Sequence, residues 1–225
     1  MKKTLYHGSE QRLEHPYYGG GKAYNDYGMG FYCTEHKAMA GEWAVGQTHD
    51  GYINAYEIEC DGLKLLNLNA NEFCILHWLT ILLENRTFDL TYALAREARD
   101  YLLKNFTVDY AGTDIIVGYR ADDSYFAFAQ DFLSGAISYR QLCHAMRLGK
   151  LGNQFVPKSP LAFERLRFVM AEPARREEWY FLRSRRDTSA RQEYFASRSQ
   201  RRRPDDLFII QLLDEGVLPD DPRLR

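Results

Sequence analysis

Leu5-Tyr6-His7-Gly8-Ser9 is the stretch on which the reading of this chain turns. It reads as a short strand that ends in a histidine and two small residues. Working outward, Gly28-Met29-Gly30-Phe31-Tyr32 reads as a glycine-loosened loop entering a strand at an aromatic hydroxyl. Trp43 lies eleven residues beyond Tyr32, and Asn153-Gln154-Phe155-Val156 reads as a further short strand far downstream.

Between and around them the pattern predicts strands over 3–9, 30–34, 51–58, 63–68, 114–118, 154–156 and 167–172. Residues 10–29 form a loop rich in glycine and tyrosine. A helix is predicted over 35–47, with Ala38, Trp43 and Ala44 on one face. Two more are predicted over 71–84, with a stripe of Phe73, Leu76, Leu79, Thr80 and Leu83, and over 89–104, with Asp89 as N-cap. Residues 123–134 and 138–148 read as helices closed by Gly135 and Gly149. Ser159-Pro160 caps and opens another helix. A last short helix is predicted over 205–215, before a tail broken by Pro219 and Pro222. The expected fold class is α+β: two small, mainly antiparallel sheets packed face to face, with an inserted helical layer over 71–148. Residues 1–173 read as one domain, and 174–225 as a basic extension packed on it.

Composition agrees with a globular chain. Of 225 residues, 45% are hydrophobic and 14% aromatic, so a real core is available, and a net charge of -2 is ordinary. No apolar stretch follows Lys2-Lys3, so no secretory leader is expected, and no apolar run approaches the roughly eighteen residues of a membrane span. Cys33, Cys60, Cys74 and Cys143 are scattered, which fits reduced thiols in a cytoplasmic protein. Cys74-x-x-His77 has no second ligand pair in the chain, so no metal is expected. Gly19-Gly20-Gly21-Lys22-Ala23 is not a phosphate-cradling loop: Pro16 stands where such a loop needs glycine, and Ala23 where it needs serine or threonine. The triple glycine reads instead as a loop over a ligand. Tyr17, Tyr18, Tyr24 and Tyr27 read equally well as lid residues or as packing.

A histidine, two aromatic rings and a small-residue strand edge suit a flat, amide-bearing ring attached to a sugar. Nicotinamide riboside is a ligand of that shape. His7 would orient the ribose through its hydroxyls. Gly8, lacking a side chain, would present its backbone N–H and C=O to the carboxamide. Tyr32 and Trp43 would sandwich the pyridinium cation. Ser9 would reach the adenosine side.

The same residues resemble the ADP-ribosyltransferase superfamily, in its diphtheria-toxin-like and poly(ADP-ribose)-polymerase-like His-Tyr-(Glu/Gln) branch. His7-Gly8-Ser9 is similar to that branch's first motif and Gly28-Met29-Gly30-Phe31-Tyr32 to its second. Trp43 stands where the branch has its second stacking aromatic, and Asn153-Gln154-Phe155-Val156 resembles its Asn-Glu-aromatic-aliphatic strand. The wording from Asp26 to Thr34 is similar to that of a bacterial domain-of-unknown-function group within the superfamily. The resemblance implies a split antiparallel β-sandwich, with NAD as co-substrate in the cleft between the sheets and no metal. It implies a mono-ADP-ribosyltransferase that cleaves the nicotinamide glycosidic bond and passes ADP-ribose to a protein or nucleic acid. It further implies a toxin or phage-defence role, with a neutralising antitoxin as a partner, and no membrane.

Two departures bear on that expectation. Gln154 replaces the branch's glutamate, so it bonds a ribose hydroxyl without charge and without acting as a base. Transfer of one ADP-ribose unit is then favoured over chain elongation, and Asp122, Asp123 or Glu35 is left to supply a carboxylate. Ala40 replaces a serine that binds the amide oxygen. Two rival readings follow from the sequence. One is an NAD or ADP-ribose binding module without turnover. The other is an RNA-binding protein that uses its arginine-rich end, where ten arginines face four acidic residues between Ala174 and Arg203. Against the second stands the ordinary reading of a charge run, a pair of amphipathic helices with aromatics packed inward and solvated arginines.

Overall fold

The computed structural model describes residues 1–120, 123–150, 152–201 and 203–225. Its architecture is mixed α+β, built on two three-stranded sheets. The first runs in the order β1 (Lys2–Ser9), β2 (Gly51–Glu59), β6 (Leu166–Ala174), and is antiparallel throughout. The second runs β3 (Leu65–Asn67), β4 (Ile115–Tyr119), β5 (Asn153–Pro157). There β4 and β5 are antiparallel and β3 and β4 parallel, so the sheets are mainly antiparallel, with one parallel pair. A parallel pair needs a long crossover, and α2 (Ile75–Asn85) and α3 (Ala93–Asn105) supply it.

The predicted strand over 30–34 forms no regular ladder; it is a stitch between the sheets. Cys33 exchanges backbone bonds with Phe155 of β5, at 3.0 and 2.8 Å. Thr34 exchanges bonds with Tyr6 of β1, at 2.8 and 2.9 Å. The ladder toward β1 stops after that single pair because the next carbonyl, that of Tyr32, is taken by the His7 side chain. Leu5, Tyr56 and Ile58 of the first sheet and Ile115 and Phe155 of the second fill one core around Phe31 and Cys33.

The larger core is helical. α2 is buried on every side from Ile75 to Leu83, so it is no amphipathic stripe. Around it pack α3, α4 (Asp123–Leu133) and α5 (Tyr139–Ala145). Each fully buried leucine or isoleucine contributes about 1.5–3 kcal/mol, which is why this layer holds the second sheet in place. Within the helical stretch 71–148, β4 lies where the strand over 114–118 is expected. Asp89 is not the cap of α3. Tyr92 holds that position, while Asp89 accepts from the Thr91 amide and hydroxyl in a turn just before the helix. Gly135 does follow α4 with φ 75°. Gly149 does not close α5, which ends at Ala145, but sits in a separate turn. Ser159 caps α6 (Pro160–Glu164) by accepting from the Ala162 amide at 3.1 Å.

Beyond β6 the chain forms one helix of 23 residues, α7 (Arg176–Arg198), where a pair was expected. No proline or glycine interrupts it. Trp179 lies against Gly41 of α1 (Lys37–Ala44), and Tyr194 stacks on Phe128 of α4 at 3.9 Å. Phe181 and Phe195 remain exposed. The last helix is shorter than expected, α8 (Ile209–Glu215). Among the described residues no helix is long and apolar enough to cross a membrane.

Candidate functional site

A cleft of about 670 Å³ opens where the two sheets part, within the roughly 300–1,000 Å³ usual for small-molecule sites. β1 contributes His7 and Gly8, the 10–30 loop contributes Tyr17, Lys22, Asn25 and Asp26, and the stitch contributes Phe31 and Tyr32. Trp43 comes from α1, Gln154 from β5, Arg86 and Arg120 from the ends of α2 and β4, and Arg183 from α7.

His7 pairs with Asn54 of β2, and its ring lies 4.5 Å from that of Phe31. Its Nδ1 donates to the Tyr32 carbonyl at 2.8 Å. Burial pulls the imidazole pKa below 6.5, against the raising effect of that backbone bond, so the ring is neutral near pH 7. With Nδ1 carrying the proton, Nε2 holds a lone pair and accepts a hydroxyl. The same arrangement exposes a strand edge. Tyr6 directs its N–H and C=O toward Thr34, and by the two-residue period Gly8 directs its own to the same side. There the partner carbonyl has been taken by His7. Gly8 also lets α1 lie directly on β1, since a Cβ at this position would stand 2.0 Å from the Ala40 carbonyl oxygen.

The Tyr32 hydroxyl donates to the Gly28 carbonyl at 2.6 Å and accepts from the Tyr27 amide at 2.9 Å. Gly28 supplies that carbonyl from a left-handed conformation, φ 69°, which explains the glycine. Burial pushes the Tyr32 pKa far up, so the hydroxyl stays protonated and serves as an anchor, while the ring is left as a surface. Trp43 is the second ring. The Arg120 guanidinium lies 4.0 Å from its centre, a flat cation on an aromatic face. The indole Nε1 is buried and has no hydrogen-bond partner among the described residues.

Gln154 is 6% exposed, and its Oε1 likewise has no partner among the described residues. An unsatisfied buried acceptor costs about 1–3 kcal/mol, a cost that a ligand hydroxyl would remove. Asp26 is buried and ion-paired with Arg86 at 2.9 Å. It is the one carboxylate on the cleft wall among the described residues, against four cationic side chains, so the cleft favours anions.

Five of the six expected site residues, His7, Gly8, Tyr32, Trp43 and Gln154, share this cleft. Ser9 does not: its hydroxyl donates to the Gln11 carbonyl at 2.6 Å and accepts from Asn54 at 3.0 Å, which spends it on the loop. Ala40 is fully buried under Gly8. Of the expected carboxylates, Asp122 lies outside the described residues, as does the side chain of Asp123. Glu35 is on the surface, paired with Lys3 at 2.5 Å. Tyr17 lines the cleft and Tyr24 is exposed, whereas Tyr27 is core, with its hydroxyl donating to the Tyr119 carbonyl at 2.5 Å. Cys74 and His77 serve α2: the Cys74 amide donates to His77 Nδ1 at 3.0 Å. Asp26, Arg86, Arg120 and Arg183 were not read as site residues from sequence. The arginines stand far along the chain from the motifs or in a crowd of similar residues, and Asp26, although it adjoins the Gly28 motif, gains its place only through Arg86, 60 positions on.

Residues 3–168 match a family described as a protein of unknown function, DUF3990. The chain belongs to that family. No curated protein and no solved structure matches it. The DUF3990 region spans β1 to the start of β6 and carries every cleft residue named above except Arg183, which stands on α7 beyond its end.

Proposed function

We propose that the cleft binds NAD and that the protein is a mono-ADP-ribosyltransferase of the His-Tyr-Gln kind. The observation that carries this reading is the convergence of five residues, from position 7 to position 154, on one cleft. The nicotinamide ring lies between Tyr32 and Trp43, with its carboxamide on the backbone of Gly8. His7 Nε2 accepts from a ribose hydroxyl, and the Gln154 amide takes the 2′-hydroxyl, which satisfies its buried oxygen. Breaking the glycosidic bond leaves nicotinamide neutral and positive charge on the ribose. With no charge on Gln154, that cation is stabilised by the amide dipole and by the phosphates of the substrate itself. ADP-ribose then passes to a nucleophile of a protein or nucleic acid. The fold this implies is a split sandwich opened at residues 31–34.

One observation favours a second reading, a binding module without turnover. The wall's carboxylate, Asp26, is held by Arg86, and Gln154 carries no charge. Incubation with NAD labelled in the nicotinamide ring separates the two. Release of labelled nicotinamide, together with transfer of adenine label to macromolecules, supports the transferase. Tight binding with no release over many hours leaves the binding module, and absence of binding removes both.

A further inference from the structure

Three residues of α7 at helical spacing, Trp179, Arg183 and Arg186, share the face turned toward α1. Trp179 covers Gly41, and Arg186 forms a buried ion pair with Glu42 at 2.7 Å. Between these two anchors Arg183 donates to the Val45 carbonyl at 3.1 Å, just past the end of α1, and reaches the cleft wall. It is therefore held in place from both sides and is not a loose surface cation.

Several arginines around it are spent on carboxylates, and Arg185, which is not, is exposed where Arg183 is half-buried. Arg86 is paired with Asp26, Arg186 with Glu42, Arg191 with Asp187 and Arg198 with Asp131. Arg183 has no carboxylate partner among the described residues, and one carbonyl uses only one of its five N–H groups. A half-buried guanidinium without a counter-ion, fixed on a cleft wall, is built to receive a forked anion. Lys22, on the triple-glycine loop of the same cleft, also has no carboxylate partner among the described residues.

We infer that Arg183 is the diphosphate-binding residue of the cleft, so that α7, outside the matched family region, completes the ligand site. The inference deepens the NAD reading and rests on it for the identity of the ligand, but not for the anion. The guanidinium fork takes oxygens of the diphosphate that joins the two nucleosides. Lys22 adds charge from the loop. A chain ending after β6 would keep the ring-binding residues and lose the group that distinguishes a dinucleotide from a nucleoside.

Calorimetric titration of the full chain tests this with three probes: NAD, nicotinamide riboside and inorganic pyrophosphate. Arg183→Ala is expected to weaken NAD and pyrophosphate about 10- to 100-fold, with nicotinamide riboside unchanged. Arg185→Ala, on the exposed side of the same helix, is expected to change none of them. Arg183→Lys keeps the charge but not the fork, and should recover only part of the NAD affinity, which also serves if the alanine variant folds poorly. Should wild type bind NAD and Arg183→Ala bind it equally, or should nicotinamide riboside weaken as much as NAD, the role of Arg183 falls while the NAD reading stands. If wild type binds pyrophosphate through Arg183 but not NAD, the NAD reading falls and the anion site stands. Failure of wild type to bind any of the three ends both.

Discussion

Among the described residues, the cleft of about 670 Å³ between the sheets is matched in size by one of about 740 Å³ between α2, α5 and the C-terminal segment. They differ in what their polar groups are doing. In the second, the Tyr139 hydroxyl donates to the Leu224 carbonyl at 2.7 Å and Arg140 grips the buried Asp206 at 2.8 and 3.1 Å. Arg223 is held by Glu215 and Asp221 at 2.6 and 2.8 Å. Burial pushes the Cys143 thiol up to about 11, so it is no nucleophile. In the first cleft, the Gln154 oxygen, the Trp43 N–H and most of the Arg183 fork are unspent. Volume alone does not make a site. Hydrogen-bonding capacity left open at a cost in stability is the better marker.

That contrast can be broken from either side. The largest effect is expected for Tyr32→Ala, which removes a platform ring and the anchor of the Gly28 loop. NAD affinity should fall more than 100-fold in titration, with about 3–5 kcal/mol of stability lost in denaturant unfolding. Tyr32→Phe sharpens this result: it keeps the ring, should cost about 1 kcal/mol, and should leave affinity within a few-fold. On the other side, Asp206→Ala removes the buried carboxylate that accepts from the Ser138 hydroxyl, the Arg203 amide and Arg140, and should cost about 1–3 kcal/mol, with NAD affinity unchanged. A loss of affinity there would mean the two clefts are not independent. Gln154→Met should weaken NAD about 10-fold while raising stability by up to about 1 kcal/mol, because it replaces an unsatisfied buried amide. A loss of stability instead would show the amide to be structural.

The smallest effect is with pH. His7 has its pKa lowered by burial, so the unfolded chain binds its proton first as pH falls. Its contribution to stability is present above pH 6.5 and is lost as pH drops below that value. NAD binding should follow the same direction, flat above pH 6.5 and weaker in acid as Nε2 protonates. Affinity that rises toward acid would contradict an acceptor role for His7.

Much of the frame was legible because it is written in local signals. β1, β2, β4 and the Ser159 cap all lie within a residue or two of where the pattern puts them. The cleft residues of β1, the stitch, α1 and β5 were legible as motifs at fixed separations. What was not legible depends on long-range partners. Residues 30–34 carry strand-forming side chains, but whether they form a ladder is decided by the His7 side chain, 25 positions from Tyr32. The N-cap role of Asp89 was lost to competition: its side chain satisfies Thr91 first. Ser9 shares the strand face of His7, yet its hydroxyl is held by the Gln11 carbonyl and the amide of Asn54, which turn it to the loop. Arg183 is one of ten arginines in its stretch, and nothing local separates it from Arg185. Only packing on α1 does.

The account's central claim is that the cleft between the sheets is a dinucleotide site. Diffraction from crystals soaked with NAD tests it most directly. The predicted result is a pyridine ring between Tyr32 and Trp43, with a ribose hydroxyl within hydrogen-bond reach of His7 Nε2. An empty cleft at saturating NAD, or the dinucleotide lodged elsewhere on the molecule, would contradict it.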